Sequence, residues 1–506
     1  MCQFAPQECS WQSFWRAGWR RIQAPQDDFL SHYHRLQHNA AGMRSCHAST
    51  LVDSVTFVPL QISFFIIISS SSKYVEHLGG NATFSGLVIG IPTFFSGMIL
   101  FPMTKYDRGK LYRSLFHNRD LMLMMRVGRY ATALHIGCFT GFLGQLAYAT
   151  AYRANFLYLI LVGRILSGVS FSGFMYCKRY CTDPSIVGVR RRTTLSSWLV
   201  IGQALGMTLG PFLGGALYKV GFRNAIFNGY TSPGWVMAVC HLVFWLVVVK
   251  YFEDVPPPEM NTELREITAP SPPVEEWKQN GDRTLLPHSA QTTHPSSPVQ
   301  ESFTAQLSRI TLPQWGVIIC MCWFSMLCFF ILGSWEANLP IFGAATPTLD
   351  WSPFSAGNFI ALGGIAGFPF FLANIVYARR IQDRQLLALG IGLGLCGLLV
   401  FMSLVATGKV VYGSIFACWW SIALGFNIPT TVTLSLLSKQ LPAEWTRRTS
   451  MAIQYSIYVG RLTGAIWGGS GVAIGMVNFV GLEIGLVGIG GILFMTLWRN
   501  LKAKTG

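Results

Sequence analysis

Charged residues stand inside several of the long apolar stretches of this sequence, among them Asp53, Arg164, Glu336 and Arg461. An arginine near the centre of a bilayer costs about 2.5–3.5 kcal/mol on insertion scales, so such a residue faces a bundle interior and a partner. Arg164, about midway along its stretch, is therefore predicted to hold a carboxylate deprotonated or to bind an anionic ligand. A purely structural ion pair is the alternative interpretation.

The carboxylates suit proton transfer. Burial away from water disfavours the charged form of a carboxyl group, so a buried carboxylate can bind and release a proton near neutral pH. Glu336 lies towards the outer end of its stretch, Asp53 lies in the first turns of another, and Glu483 begins a third. Each is alternatively a solvated charge at a helix end. We favour Glu336, with Asp53 second, as a group that takes up a proton from outside. Its neutralisation would then permit a conformational swing.

The elements that position these residues are predicted from hydropathy. Hydrophobic residues make up 51% of the chain and charged residues 12%, about half the charged share of a soluble domain. Apolar blocks of about 20 residues have the length that crosses a bilayer as a helix. The fold class is therefore an all-α membrane protein with twelve transmembrane helices. The predicted spans are 50–72, 81–103, 131–151, 155–176, 194–217, 234–252, 315–337, 355–377, 385–406, 411–435, 450–471 and 478–498.

Charge patterning predicts the topology. The net charge is +16, and Lys and Arg concentrate in the loops after the second, fourth, eighth and tenth spans. The positive-inside rule places those loops, and both termini, in the cytosol. A nucleic-acid partner is disfavoured because the basic residues are divided among loops. The twelve cysteines lie mostly inside spans and show no disulfide or metal-ligand pattern, so neither a metal nor another cofactor is predicted.

A polar segment divides the spans six and six. Residues 253–313 are rich in Pro, Ser, Thr and Glu, a composition typical of a disordered linker. The predicted organisation is a cytosolic tail, a six-helix bundle, a cytosolic linker, a second six-helix bundle and a short cytosolic tail. Their boundaries are 1–48, 49–252, 253–313, 314–498 and 499–506.

A glycine-rich repeat relates the two halves. GMTLGPFLGG (206–215) in span five recurs as GRLTGAIWGG (460–469) in span eleven. Parallel duplication of six helices, with a substrate site between the halves, is an established transporter plan. The repeat residues singled out are Gly206, Gly210, Pro211, Gly214 and Gly215, with Gly460, Arg461, Gly464 and Gly468 as the second-half counterpart.

Glycines at every fourth position form a ridge without side chains, which lets a neighbouring helix approach almost to backbone contact. Pro211 has no N–H for the carbonyl of Met207, so the helix can bend there. Close packing without motion and a hinge are both compatible with the ladder, and the proline favours the hinge. We expect the two seams to be the surfaces on which the bundles pivot.

These motifs resemble those of the major facilitator superfamily. GMTLGPFLGG is similar to its fifth-helix antiporter motif, GRILSGVSFSG (163–173) to its fourth-helix motif, and TKYDRGKLYR (104–113) to its loop between spans two and three. The resemblance implies two six-helix bundles, exchange-driven export and a part for Arg164 in proton transfer. It also implies a gating role for Asp107 and Arg108, although Met103 stands where the family has a glycine.

A narrower likeness is carried by FNGYTSPGW (227–235), GSWEANLP (333–340) and the second glycine repeat. These resemble the branch that contains the lysosomal ceroid-lipofuscinosis transporter and the SPX-domain vacuolar transporters. The likeness places an acidic residue at Glu336. The expected membrane is the plasma membrane or a vacuolar or lysosomal membrane.

Amide side chains inside spans are candidates for lining a substrate cavity, although hydrogen bonding between helices is the commoner role of such groups. They are Gln203, Asn358, Asn374, Asn427 and Gln454. Asn81 begins a glycosylation sequon, but it adjoins span two so closely that we do not expect modification.

The sequence therefore predicts a monomeric secondary transporter in a lipid bilayer that exchanges protons for small organic molecules, such as drugs or secreted metabolites, and exports them. A facilitator or anion channel on the same fold, and a membrane scaffold or receptor without transport, are the alternatives. An enzyme is not predicted, since no nucleotide-binding P-loop and no HExxH motif is present.

Overall fold

The computed structural model describes residues 59–105, 130–182, 189–221, 224, 226–252, 311–377, 381–440 and 445–502. All regular elements in these ranges are helical. The first half contains α1 (Ser71–His77), α2 (Ala82–Lys105), α3 (Ala131–Ala154), α4 (Leu157–Thr182), α5 (Val189–Val220) and α6 (Ser232–Tyr251). A further helical stretch at 59–65 precedes α1 and is joined to it by turns.

The second half repeats this order. It contains α7 (Leu312–Ala345), α8 (Pro353–Tyr377), α9 (Asp383–Ala406), α10 (Tyr412–Gln440), α11 (Thr446–Ile474) and α12 (Met476–Thr496). Seven of the described helices are long and apolar enough to cross a membrane: α2, α4, α6, α7, α8, α9 and α12. The predicted all-helical membrane fold is confirmed.

Local sequence sets several helix ends. Asn81 caps α2, because its side-chain oxygen accepts a hydrogen bond from the backbone N–H of Phe84 at 2.8 Å. Thr311 and Gln314 form a reciprocal capping box at the start of α7. Prolines lie inside α2, α5, α7, α8 and α10, as membrane helices tolerate.

The two glycine repeats pack within their own halves. A side chain at Gly206, Gly210 or Gly214 would meet residues 61–66 of the stretch that precedes α1. A side chain at Gly460, Gly464 or Gly468 would likewise meet the backbone of α7, at Met326, Phe330 and Ser334. The prediction of close backbone packing is confirmed. The prediction that these seams are the surface between the bundles is wrong for these six glycines, since a glycine ridge fits any backbone and its own bundle supplies the nearer one.

The last glycine of each repeat contacts the other half. A side chain at Gly215 of α5 would meet the backbone of Pro353 and Phe354 in α8. A side chain at Gly469 of α11 would meet Ala82 and Gly86 in α2. Since α8 is the second-half counterpart of α2, these two junctions are equivalent. The contacts therefore express the internal duplication that the repeat predicted.

Two helix pairs join the halves along their length. On α2, Gly90 approaches Leu462 of α11, and the Tyr455 hydroxyl donates to the carbonyl oxygen of Gly97 at 3.2 Å. On α8, a side chain at Gly357 would collide with the carbonyl oxygen of Pro211 on α5. The interface between the halves is therefore built from α2 with α11 and α5 with α8.

Candidate functional site

A buried ion pair lies in the second half, next to the first. Glu336 on α7 and Arg461 on α11 form a hydrogen-bonded salt bridge. Their residues are only 2% and 5% exposed. A carboxylate and a guanidinium removed from water need this kind of paired, hydrogen-bonded geometry to remain charged. Glu336 is therefore not a solvated charge at a helix end.

Two aromatic rings of the first half contact the arginine of this ion pair. The guanidinium carbon of Arg461 lies 4.9 Å from the ring centroids of both Phe64 and Phe65. The guanidinium carbon of Arg164 lies 5.5 Å from the Phe64 ring. These distances are those of cation–π contacts. Phe64 thus connects the buried arginine of one bundle with the buried arginine of the other.

Arg164 is 1% exposed and makes no ion pair with any described residue. Its Nε donates to the carbonyl oxygen of Val88 at 3.1 Å, and its Nη2 lies 3.5 Å from that of Phe64. Nη1 has no hydrogen-bond partner in the described part of the chain. Arg164 is therefore a buried cation with one donor group to spare.

A small cavity of about 10 Å³ adjoins Arg164, and Ser63, Ser167 and Ser170 contribute to its lining. The Ser63 hydroxyl accepts a hydrogen bond from the Gln145 amide at 2.7 Å. The Ser170 hydroxyl is buried without a partner among the described residues. The lining of the cavity is partly polar and partly apolar. The cavity holds about one water-sized group, which is far less space than an organic substrate needs.

The other predicted polar residues whose side chains are described lie on four different helices. Gln203 on α5 is partly buried, and the Asn358 side-chain oxygen on α8 is buried without a described partner. Asn427 donates to the carbonyl of Ala423 within α10 at 2.7 Å, and Gln454 hydrogen bonds to Tyr458 at the α2–α11 interface. None of these four amides lines the cavity beside Arg164.

Several predicted residues lie outside the described part of the chain. They are Asp53, Asp107 and Arg108, and the side chain of Asn374. Asn81 is exposed at the start of α2, where its side chain serves as the helix cap. Among the described residues, no group of three His, Cys, Asp or Glu side chains is placed to hold a metal ion.

Sequence reasoning did not find the pairing of Glu336 with Arg461, because 125 positions separate them. It also did not single out Phe64 and Phe65, which carry no signal beyond their adjacency. Glu483 was expected at an interface as one alternative, yet it is fully buried. No periodicity in α12 marks that position as an interior one.

Comparison with known proteins fits this architecture. The family model of the Major Facilitator Superfamily matches residues 54–465. The chain belongs to the major facilitator superfamily. An uncharacterised transporter of this type from Schizosaccharomyces pombe is 30% identical over 447 residues, covering 88% of this chain and 80% of that one. An SPX domain-containing membrane protein of Oryza sativa is 25% identical, covering 90% and 62%.

Solved superfamily structures share the fold. A bacterial homologue of the human lysosomal transporter Spinster aligns with a TM-score of 0.62 at 11% identity, covering 91% of this chain and 99% of that one. A D-xylose–proton symporter aligns with a TM-score of 0.61 at 14% identity, covering 90% and 97%. Such low identities establish the shared fold alone. By the family model and the related sequences, the chain is a multi-pass membrane transporter of this superfamily, whose members bind small-molecule substrates.

Proposed function

We propose that this transporter couples proton movement to the export of small organic molecules, with Glu336 as the proton-binding group. The observation that carries the proposal is the buried Glu336–Arg461 ion pair under Phe64 and Phe65. A proton taken up by Glu336 would break the pair and leave Arg461 an unpaired cation. Removal of one charge from a buried pair typically costs about 3–5 kcal/mol, enough to shift a two-state equilibrium.

The ion pair lies where the two halves meet, so its charge state can affect the conformational change. Arg461 lies on α11, which also contacts α2 of the other bundle, and its guanidinium faces aromatic rings from the stretch before α1. A change in the charge state of the pair therefore acts directly on contacts between the halves. Proton binding and the rocking of the bundles would share this one junction.

The test is transport by the full-length protein in proteoliposomes with an imposed pH gradient, screened against a panel of cationic drugs, neutral metabolites and organic acids. Glu336→Gln removes the titratable group while keeping a similar shape. Glu76→Gln is the matched control, because Glu76 pairs with Lys73 on the surface and its side chain is 68% exposed. We expect gradient-driven flux to disappear in the first variant and to persist in the second.

A facilitator that moves small anions is a second candidate, favoured by Arg164. Its charge is buried and makes no ion pair with a described residue, one of its donor groups has no described partner, and it contributes to the lining of a small, partly polar cavity. This function would not require a proton. Anion flux that is independent of the pH gradient, unaffected by Glu336→Gln and lost in Arg164→Ala would favour it over the exporter.

A further inference from the structure

A second carboxyl group is buried in the second half and takes no part in the Glu336–Arg461 pair. Glu483 on α12 is 0% exposed. Its Oε1 lies within hydrogen-bond distance of the Ser334 hydroxyl, and its Oε2 lies 2.8 Å from Nε1 of Trp335. Both partners are on α7, and both are neutral. No described cation pairs with Glu483.

The surroundings of Glu483 contain few charges. The helices that pack against α12 include α7, α9 and α11. Their charged residues within the span are Glu336 and Arg461, which neutralise each other. The charged residues of α9 are Asp383 and Arg384, both at its start. Arg384 donates a hydrogen bond to the carbonyl of Trp498, which follows the C-terminal end of α12. Arg447 and Arg448 lie at the start of α11.

The hydrogen-bond partners of Ser334 favour one protonation state of Glu483. The Ser334 hydroxyl lies 2.8 Å from the carbonyl oxygen of Ile331 as well as next to Glu483. A hydroxyl has one proton to donate. If Glu483 were ionised, Ser334 would donate to it, and the Ser334 and Ile331 oxygens would face each other at 2.8 Å with no proton between them.

A protonated Glu483 satisfies every group. The carboxyl O–H donates to Ser334, the Ser334 hydroxyl donates to Ile331, and the Trp335 N–H donates to the remaining carboxyl oxygen. Glu483 then leaves no unpaired negative charge at this position, where an isolated carboxylate would be strongly unfavourable.

We propose that Glu483 is a proton-holding residue, neutral in this conformation, that positions Glu336. Ser334 and Trp335, which bind Glu483, directly precede Glu336 on α7. By fixing that turn of α7 against α12, the neutral acid orients Glu336 towards Arg461 on α11. The positioning role rests on the proposed function of Glu336, whereas the protonation of Glu483 does not.

Infrared spectroscopy of the purified full chain in lipid nanodiscs tests the protonation at neutral pH. A protonated carboxyl group absorbs at a carbonyl frequency separate from that of a carboxylate. We expect such a band in the wild type and in Glu336→Gln, and its loss in Glu483→Gln. Equal spectra of wild type and Glu483→Gln in this region would overturn the proposal. Should Glu483→Gln not fold, Ser334→Ala removes the acceptor of the proton and should shift or weaken the same band; an unchanged band would contradict the assignment.

The positioning role has its own measurement, the pH profile of gradient-driven flux. A glutamine donates to Ser334 and accepts from Trp335 as the neutral acid does, so Glu483→Gln should keep the wild-type profile and flux within about twofold. Glu483→Ala removes both bonds and should shift the profile and reduce flux at least tenfold. A folded Glu483→Gln protein without flux would show that Glu483 itself exchanges protons, which contradicts a positioning role. The infrared band could behave as expected while neither the wild type nor any variant shows pH-driven flux. That result would contradict the proposed function and would still support a protonated Glu483.

Discussion

At the scale of single residues, Glu336 and Arg461 neutralise each other, so removing one of the two charges should destabilise the protein more than removing both. Arg461→Met leaves the Glu336 carboxylate buried without a cation, which should lower the free energy of unfolding by about 3–5 kcal/mol. The double variant Glu336→Leu/Arg461→Met removes both charges and should recover most of that loss. Thermal and denaturant unfolding in detergent micelles measures both. A double variant as unstable as the single one would contradict the pairing as the source of the effect.

Arg164 differs from Arg461 because its charge has no ionic partner among the described residues. Arg164→Met replaces a buried cation by an apolar side chain of similar length, so stability should stay within about 1 kcal/mol of the wild type or rise. Transport, by contrast, should be lost if the cation acts on a proton carrier or an anion. Unfolding and flux measured on the same preparation separate the two effects. A strongly destabilised variant would indicate that Arg164 is a structural residue.

At the scale of elements, the glycine ladders make a prediction with an internal control. A methyl group on Gly464 of α11 would collide with the backbone of Phe330 in α7, whereas Gly488 of α12 has open space around its Cβ position. Gly464→Ala should therefore destabilise the protein by about 1–3 kcal/mol. Gly488→Ala should be neutral or stabilising by up to about 1 kcal/mol, because alanine favours helix. Equal unfolding midpoints for the two variants would contradict the packing described here.

The same ladders show how far sequence can be interpreted at this scale. Glycines at every fourth position identified the face of α5 and of α11 that packs closely against another backbone, and the structure confirms that face. It did not identify the partner helix, because a ridge without side chains is complementary to any close backbone. Likewise, hydropathy located α7, α11 and α12, but the contacts of Glu336 and Glu483 depend on how these helices rotate within the bundle. Rotation is set by packing among many side chains and leaves little trace in one sequence.

At the scale of the whole molecule, the α2–α11 and α5–α8 pairs should separate during transport if the bundles rock. An ideal Cβ at Gly90 of α2 lies 3.1 Å from the Cβ of Ala465 on α11. This is shorter than the roughly 3.5–4.5 Å of a disulfide, so the two helices must move apart slightly for the cross-link to form. In Gly90→Cys/Ala465→Cys, oxidation should stop flux and a reducing agent should restore it. Each single cysteine variant is the control for oxidation of the native thiols. Full flux in the cross-linked protein would contradict separation at this junction.

Protonation of Glu336 is proposed to control contacts between the two halves. The equivalent junctions and the buried ion pair next to Phe64 both support this proposal. It is tested most directly by comparing two transport modes in Glu336→Gln, using a substrate found in the proteoliposome screen. Accumulation driven by a pH gradient requires proton release and uptake, whereas substrate exchange at equal pH does not. We predict that Glu336→Gln loses the first and keeps the second, with Glu76→Gln normal in both. Undiminished pH-driven accumulation by Glu336→Gln would contradict the account.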